Sequence, residues 1–226
     1  MPPLPANDGR TRSERKRAQI IVAATEVFLE KGYLGTSMDE IAGLAAVSKQ
    51  TVYKHFDDKD ALFCEIVTNT VDEVSDPVEA QVSALGDSVS VERDLAQLAL
   101  RQLQLVMQPR VLKLRRLVIA EAIRFPDLGR RFYERGPGRT IAALADAFER
   151  LAARGLLVLD DPQLAAAHFN WLVMSTPLNE AMLLGQDTAP SARELRRCAD
   201  AGVRAFIAAY RSGPSDQGER RLLETR

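Results

Sequence analysis

Residues Gly35 to Phe56, GTSMDEIAGLAAVSKQTVYKHF, decide the fold. They parse as two short helices joined by a tight turn. Ser37 and Glu40 stand three residues apart, the spacing of a capping box, in which a serine hydroxyl and a glutamate satisfy the free amides of a helix start. Ile41, Ala42 and Ala45 then fall on one side, as a helix packed on a small core requires. Asp39 and Glu40 occupy the first turn, where the helix dipole favours acids. Ser48 is a good cap for the second helix. At roughly 100° per residue, Val52 and Phe56 share an inner face with Val47 leading in, while Gln50 and Lys54 point the other way. Thr51 and Tyr53 flank that outer edge, and Lys49 stands exposed in the first turn.

An outer edge of Lys, Gln, Thr and Tyr over an apolar inner edge is what a helix lying in the DNA major groove needs. The N-terminal end enters the groove, so Lys49, Gln50 and Thr51 are placed to reach base edges. Glutamine can pair bidentately with adenine, and lysine can donate to guanine O6 and N7. Tyr53, Lys54 and His55 come later, where contacts to phosphate position a protein without reading sequence. A solvated lysine-rich face is the competing reading. The linked helices, their caps and their apolar spacing weigh against it.

Around this segment stand Phe28, Gly32 and Gly35-Thr36, then Ile41-Ala42, Val47-Ser48, Thr51, Tyr53, His55-Phe56, Lys59 and Leu62. With these residues in this order, Arg12 to Phe63 resembles the DNA-binding domain of the TetR family of bacterial one-component repressors. The resemblance implies phosphate contacts from Tyr53, His55 and Lys59, and places Thr51 near base edges or backbone. Arg12, Thr36 and Ser48 complete the candidate DNA-binding set. Ala46 departs from the pattern, because the family often has glycine before the Val-Ser pair. If that turn takes a positive φ, alanine costs on the order of 1 kcal/mol there.

Bulk properties bound the rest. A chain of 226 residues can hold one or two domains and a sizeable core. A formal net charge of -1 does not by itself point to nucleic acid. Local charge says more. Arg10, Arg12, Arg15, Lys16 and Arg17 crowd the start against only Asp8 and Glu14, so a basic arm could follow phosphates or enter the minor groove. A solubilising tail is the alternative. Cys64 and Cys198 give neither a metal spacing nor a disulfide framework, and both lie in apolar-periodic segments, as buried free thiols would. No apolar run approaches the about 20 residues that cross a bilayer. MPPLPANDGR carries no hydrophobic signal core. A cytoplasmic protein with no membrane partner is the expectation.

The fold expected is all-α. Thr11 and Glu14 form another possible capping box before a helix lined by Ile20, Ile21, Ala24, Val27 and Phe28, which Gly32 should end. Asp58 caps a further helix, which Pro77 should kink or restart. Beyond it only helices are visible, near 91–107, 110–124, 126–135, 138–154, 162–184 and 191–211. Gly136-Pro137-Gly138 punctuates them as a connector, and Leu157 to Leu159 is an apolar run with no visible partner strand. Asp161-Pro162 and Ser191 with Glu194 are clean starts. The domains are therefore a disordered tail at 1–10, a helix-turn-helix domain at 11–57, a helical effector-binding and dimerisation domain at 58–211, and a flexible tail at 212–226.

The 162–184 helix carries Leu164, Phe169, Trp171, Leu172, Val173, Met174, Leu178, Met182, Leu183 and Leu184 around most of its circumference. A helix apolar all round must be buried on all sides. One side can face its own domain and the other a second copy. Ala199, Gly202, Ala205 and Ala208 would let the last helix approach a partner closely, and a C2 homodimer follows economically. A larger intrachain core is the alternative. The resemblance points the same way, to a four-helix interface from the last two helices of each subunit. No catalytic constellation, metal site or phosphate loop is present, so an enzyme is disfavoured and no cofactor is expected.

The segment RLVIAEAIRFPDLGRRFYERG, residues 116–136, resembles more weakly the regulatory half of the same family. That implies a helix-walled cavity for a small-molecule effector of unknown identity. Glu121, Arg124, Trp171 and Met174 are candidate lining residues, against the bland alternative of interhelical salt bridges and core packing. The expected function is a transcriptional repressor released from a palindromic double-stranded DNA operator by its effector. An activator or an effector-independent regulator is the runner-up. From another class, a helical small-molecule-binding enzyme or sequestering protein with a decayed reading head remains.

Overall fold

The computed structural model describes residues 11–184 and 190–211. The expected tails at 1–10 and 212–226, with Arg10, lie outside the described residues. The chain is helical, as the sequence predicts: α1 Arg12–Gly35, α2 Met38–Leu44, α3 Lys49–His55, α4 Lys59–Leu85, α5 Val91–Val106, α6 Pro109–Glu121, α7 Pro126–Tyr133, α8 Arg139–Ala153, α9 Pro162–Leu184 and α10 Ala192–Tyr210. Two compact units form, Met1–Asn69 with Lys113–Gly129, and Thr70–Leu112 with Arg130–Arg226. α4 and α6 each contribute residues to both.

The first unit is built on a core of Ile20, Phe28, Ile41, Val52, Phe56, Leu62, Phe63 and Ile66, all buried. Phe28, Tyr33 and Phe63 cluster with centroids 5.0 to 6.0 Å apart, and Phe125 meets Tyr33 edge-on at 4.9 Å. Thr11 and Glu14 make the full capping box of α1. Gly32 breaks that helix at φ 70, ψ 176, a region open essentially to glycine alone. α2 ends in a Schellman turn. The Val47 amide donates to the Ala42 carbonyl and the Ala46 amide to the Gly43 carbonyl, both at 3.1 Å, with Ala46 at φ 52. The residue that departs from the family pattern therefore adopts the positive φ anyway. α8 ends in the same motif, with Gly155 at φ 71.

The second unit holds a larger apolar core from α4, α5, α8, α9 and α10. Phe148, Phe169 and Phe206 pack with centroids 4.9 to 5.8 Å apart at its centre. Inside this core the Gln102 amide nitrogen donates to the Asn170 carbonyl oxygen at 2.8 Å. The Gln102 Oε1 atom is buried there with no hydrogen-bond partner.

Four sequence expectations need correction. Pro77 does not restart α4, since the helix runs from Lys59 to Leu85 with Pro77 inside. Gly136-Pro137-Gly138 belongs to a π-helical turn, Glu134–Gly138, that carries α7 into α8. Leu157 does find a partner: it forms an antiparallel bridge with Arg211, and the Val158 amide donates to the Tyr210 carbonyl at 2.8 Å. Cys64 and Cys198 form no disulfide, as expected, but both are only partly buried.

α4 is held along its second half. Arg135 makes a bidentate pair with Asp72, at 3.0 and 2.6 Å, and Arg139 pairs with both Asp76 and Glu79. At the C-terminal end Arg150 donates to the Ser83 carbonyl, and Arg154 donates to the Gly86 and Ser88 carbonyls at 2.6 and 2.7 Å. Ser83 is among the last four residues of α4, whose carbonyls have no intrahelical partner, and Gly86 and Ser88 stand in the turn that follows.

α9 divides its apolar residues between two environments. Phe169, Val173, Met174 and Leu178 are buried, whereas Leu164, Trp171, Leu172, Leu183 and Leu184 are exposed in the single chain. α10 uses two of its four small residues internally. Ala199 is fully buried, and Gly202 lies so close to α9 that a Cβ there would sit 3.0 Å from Val173 and 3.1 Å from the Leu172 carbonyl. Ala205 and Ala208 remain exposed.

Candidate nucleic-acid interface

α3 is a seven-residue helix whose inner face is fixed by Val52 and Phe56. Ser48 caps it, accepting from the Thr51 amide at 3.1 Å, and the Thr51 hydroxyl lies 2.8 Å from the Ser48 hydroxyl. Thr51 is thus half-buried and tied to the cap. Lys49, Gln50, Tyr53 and Lys54 form the exposed outer edge, Tyr53 with 44 % of its surface accessible. That is the edge a groove-reading helix presents.

Lys49 is not free. Its ammonium lies 2.7 Å from a carboxylate oxygen of Asp39 on α2, with both side chains more than half exposed. The next acid, Glu40, takes Lys31 of α1. Ser37 caps α2 by accepting from the Glu40 amide at 3.2 Å, while the Glu40 carboxylate is engaged by Lys31. Neither pairing was visible in the sequence, because the acids and their cations are nine and ten residues apart and meet only once the turns are built.

The remaining candidates separate by environment. Thr36 is buried, and its hydroxyl donates to the Gly32 carbonyl at 2.7 Å. Lys59 donates to the Tyr33 and Thr36 carbonyls at 3.0 and 2.9 Å and lies over the Tyr33 ring. These two residues lock the turn at the end of α1. Arg12 is exposed at the start of α1. His55 is partly buried beside Arg17, Lys54 and Lys16, and burial first, then these cations, pushes its imidazole pKa down. Arg17 pairs with Glu65 and lies over the Phe56 ring. Tyr33, whose hydroxyl donates to Asp60, has its phenol pKa pushed up by burial and by that carboxylate.

The pocket candidates fall in different units. Glu121 and Arg124 belong to the first, where Arg124 lies over the rings of Tyr33 and Phe125. Trp171 and Met174 belong to the second, Trp171 exposed on α9 and Met174 buried in the core. Among the described residues no cluster of His, Cys, Asp and Glu is placed to hold a metal ion, and no helix is long and apolar enough to cross a membrane.

Comparison with known proteins addresses both halves of the chain. Residues 20–66 match the pattern of bacterial regulatory proteins of the tetR family, and residues 93–212 match that of the AefR-like transcriptional repressor C-terminal domain. A putative TetR-family transcriptional regulator from Mesorhizobium loti is 48 % identical over 89 % of this chain and 100 % of its own, with a TM-score of 0.83. The flavonoid-responsive regulator FrrA is 32 % identical over 88 % of this chain and 98 % of its own, with a TM-score of 0.71. The transcriptional activator FasR of Mycolicibacterium smegmatis is 35 % identical over 79 residues, 35 % of this chain and 36 % of that protein. The alignment thus spans about a third of that curated relative. With the reading helix exposed, its core built and both halves matched, this chain belongs to the TetR family of transcriptional regulators.

Proposed function

We propose that this DNA-binding regulator acts as a repressor, binds a two-fold symmetric operator as a homodimer, and leaves it when a small molecule occupies the second unit. The observation that carries the DNA reading is the exposed edge Lys49, Gln50, Tyr53 and Lys54, standing over a fully buried Val52. Lys49 and Gln50 read base edges, Thr51 holds the helix start, and Tyr53, Lys54, His55 and Arg12 meet phosphates. Dimerisation rests on the exposed apolar residues of α9, which a second copy would cover. A genomic operator places the protein in the cytoplasm. Selection of bound sequences from a random duplex pool tests this. A two-fold symmetric consensus is expected, and an asymmetric or absent preference would overturn the reading.

The effector is argued from the second unit. Gln102 and Asn170 place a polar pair in an otherwise apolar core, and a buried acceptor left without a donor costs about 1–3 kcal/mol unless something fills it. Met174, one turn along from Asn170, lies in the same core. FrrA is named as flavonoid-responsive, and a hydroxylated aromatic would supply both apolar surface and an O–H donor. Titrating flavonoids into the protein bound to its selected duplex should release the DNA. Effector and operator would each weaken the other's binding by favouring different states of the chain, with α4 shared between the units. An activator is the second reading, because FasR, which matches this chain over 79 residues, is named as one. Repression is preferred because the pattern matched by residues 93–212 is described as a repressor's. A reporter gene behind the selected site separates the two.

A further inference from the structure

Asp39 faces the cation that stands first on the reading helix. Lys49 Nζ and Asp39 Oδ1 are 2.7 Å apart, and nothing buries them. An exposed pair of this kind is weak and readily broken, so it does not prevent DNA binding. It does change which acceptors Lys49 can take. A lysine carries three donor hydrogens. With one on Asp39, two remain for neutral acceptors such as guanine O6 and N7, and the carboxylate tolerates such neighbours. A phosphate is different. It would stand beside the Asp39 carboxylate, and like charges at that range repel. To neutralise a phosphate, Lys49 must leave Asp39 and leave that anion facing the DNA.

Resting on the DNA reading above, we propose that Asp39 is a specificity-determining residue: it withholds Lys49 from the phosphate backbone and reserves its free donors for base edges. Sequence-independent affinity comes almost wholly from cations on phosphates. Holding one such cation back lowers binding to the excess of wrong sites while sparing the right one. Asp39 acts through Lys49 and has no need to touch DNA.

The test uses the full chain and two duplexes, one of random sequence and one selected for tight binding, with affinities measured by fluorescence anisotropy across a salt series. Asp39→Asn should raise affinity for the random duplex by up to about fivefold near physiological salt. Its slope of log affinity on log salt should steepen by about 0.9, the signature of one more phosphate neutralised. Affinity for the selected duplex should change less, so the ratio between the two falls. Lys49→Met combined with Asp39→Asn removes both charges, and this double variant should keep the native random-duplex slope, because Lys49 is not on a phosphate in the native protein. An unchanged slope and ratio in Asp39→Asn would overturn the proposal. So would a double variant as steep as Asp39→Asn alone, since the gain would then not run through Lys49, or one shallower than the native protein by about 0.9, since Lys49 would then already neutralise a phosphate. Comparing the double variant with Asp39→Asn holds the change in α2 constant, so it reads the claim even if Asp39→Asn loosens that helix. A native protein without sequence preference would instead sink the DNA reading, while the random-duplex slopes still judge Asp39.

Discussion

Ala46 shows how much a single residue reveals. Its place in a Schellman turn demands positive φ, and the equivalent place after α8 is taken by Gly155. An L-residue with a Cβ is strained there by about 1–2 kcal/mol, against about 0.5–1 kcal/mol for the extra freedom that glycine loses on folding. Strain wins narrowly, so Ala46→Gly should raise stability by up to about 1 kcal/mol in urea unfolding; a loss would mean the turn has relaxed around alanine. Gln50→Ala should cost about 1–3 kcal/mol of discrimination at one or two base pairs, whereas Tyr53→Phe and Lys54→Ala should weaken binding to all sequences alike. An equal loss on every sequence for Gln50→Ala would remove it from base reading. His55 adds a pH dependence. Its pKa lies below the ordinary 6.5 in the free protein, so it is neutral at pH 7. A phosphate favours the charged ring, so DNA affinity should rise as pH falls through that lowered pKa, with proton uptake on binding. Folding responds with the opposite sign. The unfolded chain takes the proton first, so stability from this group is full above 6.5 and declines as pH falls through 6.5 to the folded pKa. His55→Gln should flatten both trends, measured by anisotropy and by urea titration against pH. At this scale the exposed edge of α3 was legible from periodicity. The inward turn of Thr36 and the capture of Lys59 were not, because both depend on carbonyls freed where Gly32 breaks α1.

At the scale of elements, starts were easier to read than interruptions. Thr11, Ser48, Asp58, Asp161 and Ser191 all cap as their residue types suggest. Local hydrogen bonds decide such caps, and they are written in a few adjacent residues. Pro77 does not interrupt α4, because a tertiary context can carry a helix through proline and the packing of α4 is not encoded beside it. Gly202 was read as a partner-facing residue but faces α9. Sequence gives the small-residue stripe, not which neighbour it admits. That distinction is measurable. In an open helix position Gly→Ala gains up to about 1 kcal/mol in propensity, but at Gly202 the new methyl meets Val173 and the Leu172 carbonyl, and overpacking costs about 1–3 kcal/mol. Gly202→Ala should therefore destabilise, while Gly43→Ala in α2, with nothing within 4 Å of the added Cβ, should not. Equal effects in chemical denaturation would show that α10 can move away from α9.

For the whole molecule, the all-helical class and the reading head were legible, because a period of 3.6 and capping chemistry are local signals. The proposed effector site was not. The polar atoms that single out the second core, Gln102 and Asn170, are 68 residues apart, and no spacing rule joins them. The proposed dimer sits between these cases: the excess of apolar residues on α9 is plain in the sequence, and the structure sorts them into core and surface. Leu172 is 47 % exposed on that surface. Leu172→Glu should yield a monomer by sedimentation with unchanged helix content, and affinity for a two-fold symmetric duplex should fall sharply, since one reading head must then act alone. Persistence of a dimer would place the interface elsewhere.

The arginines along α4 carry a mechanical consequence. From Asp72 to the turn just past its end, that rod is riveted at successive points by Arg135, Arg139, Arg150 and Arg154. The first half of the same rod is held differently, by Leu62, Phe63 and Ile66 in the apolar core of the first unit. Salt screens exposed charges and leaves apolar burial intact, so high ionic strength should loosen one half of α4 and spare the other.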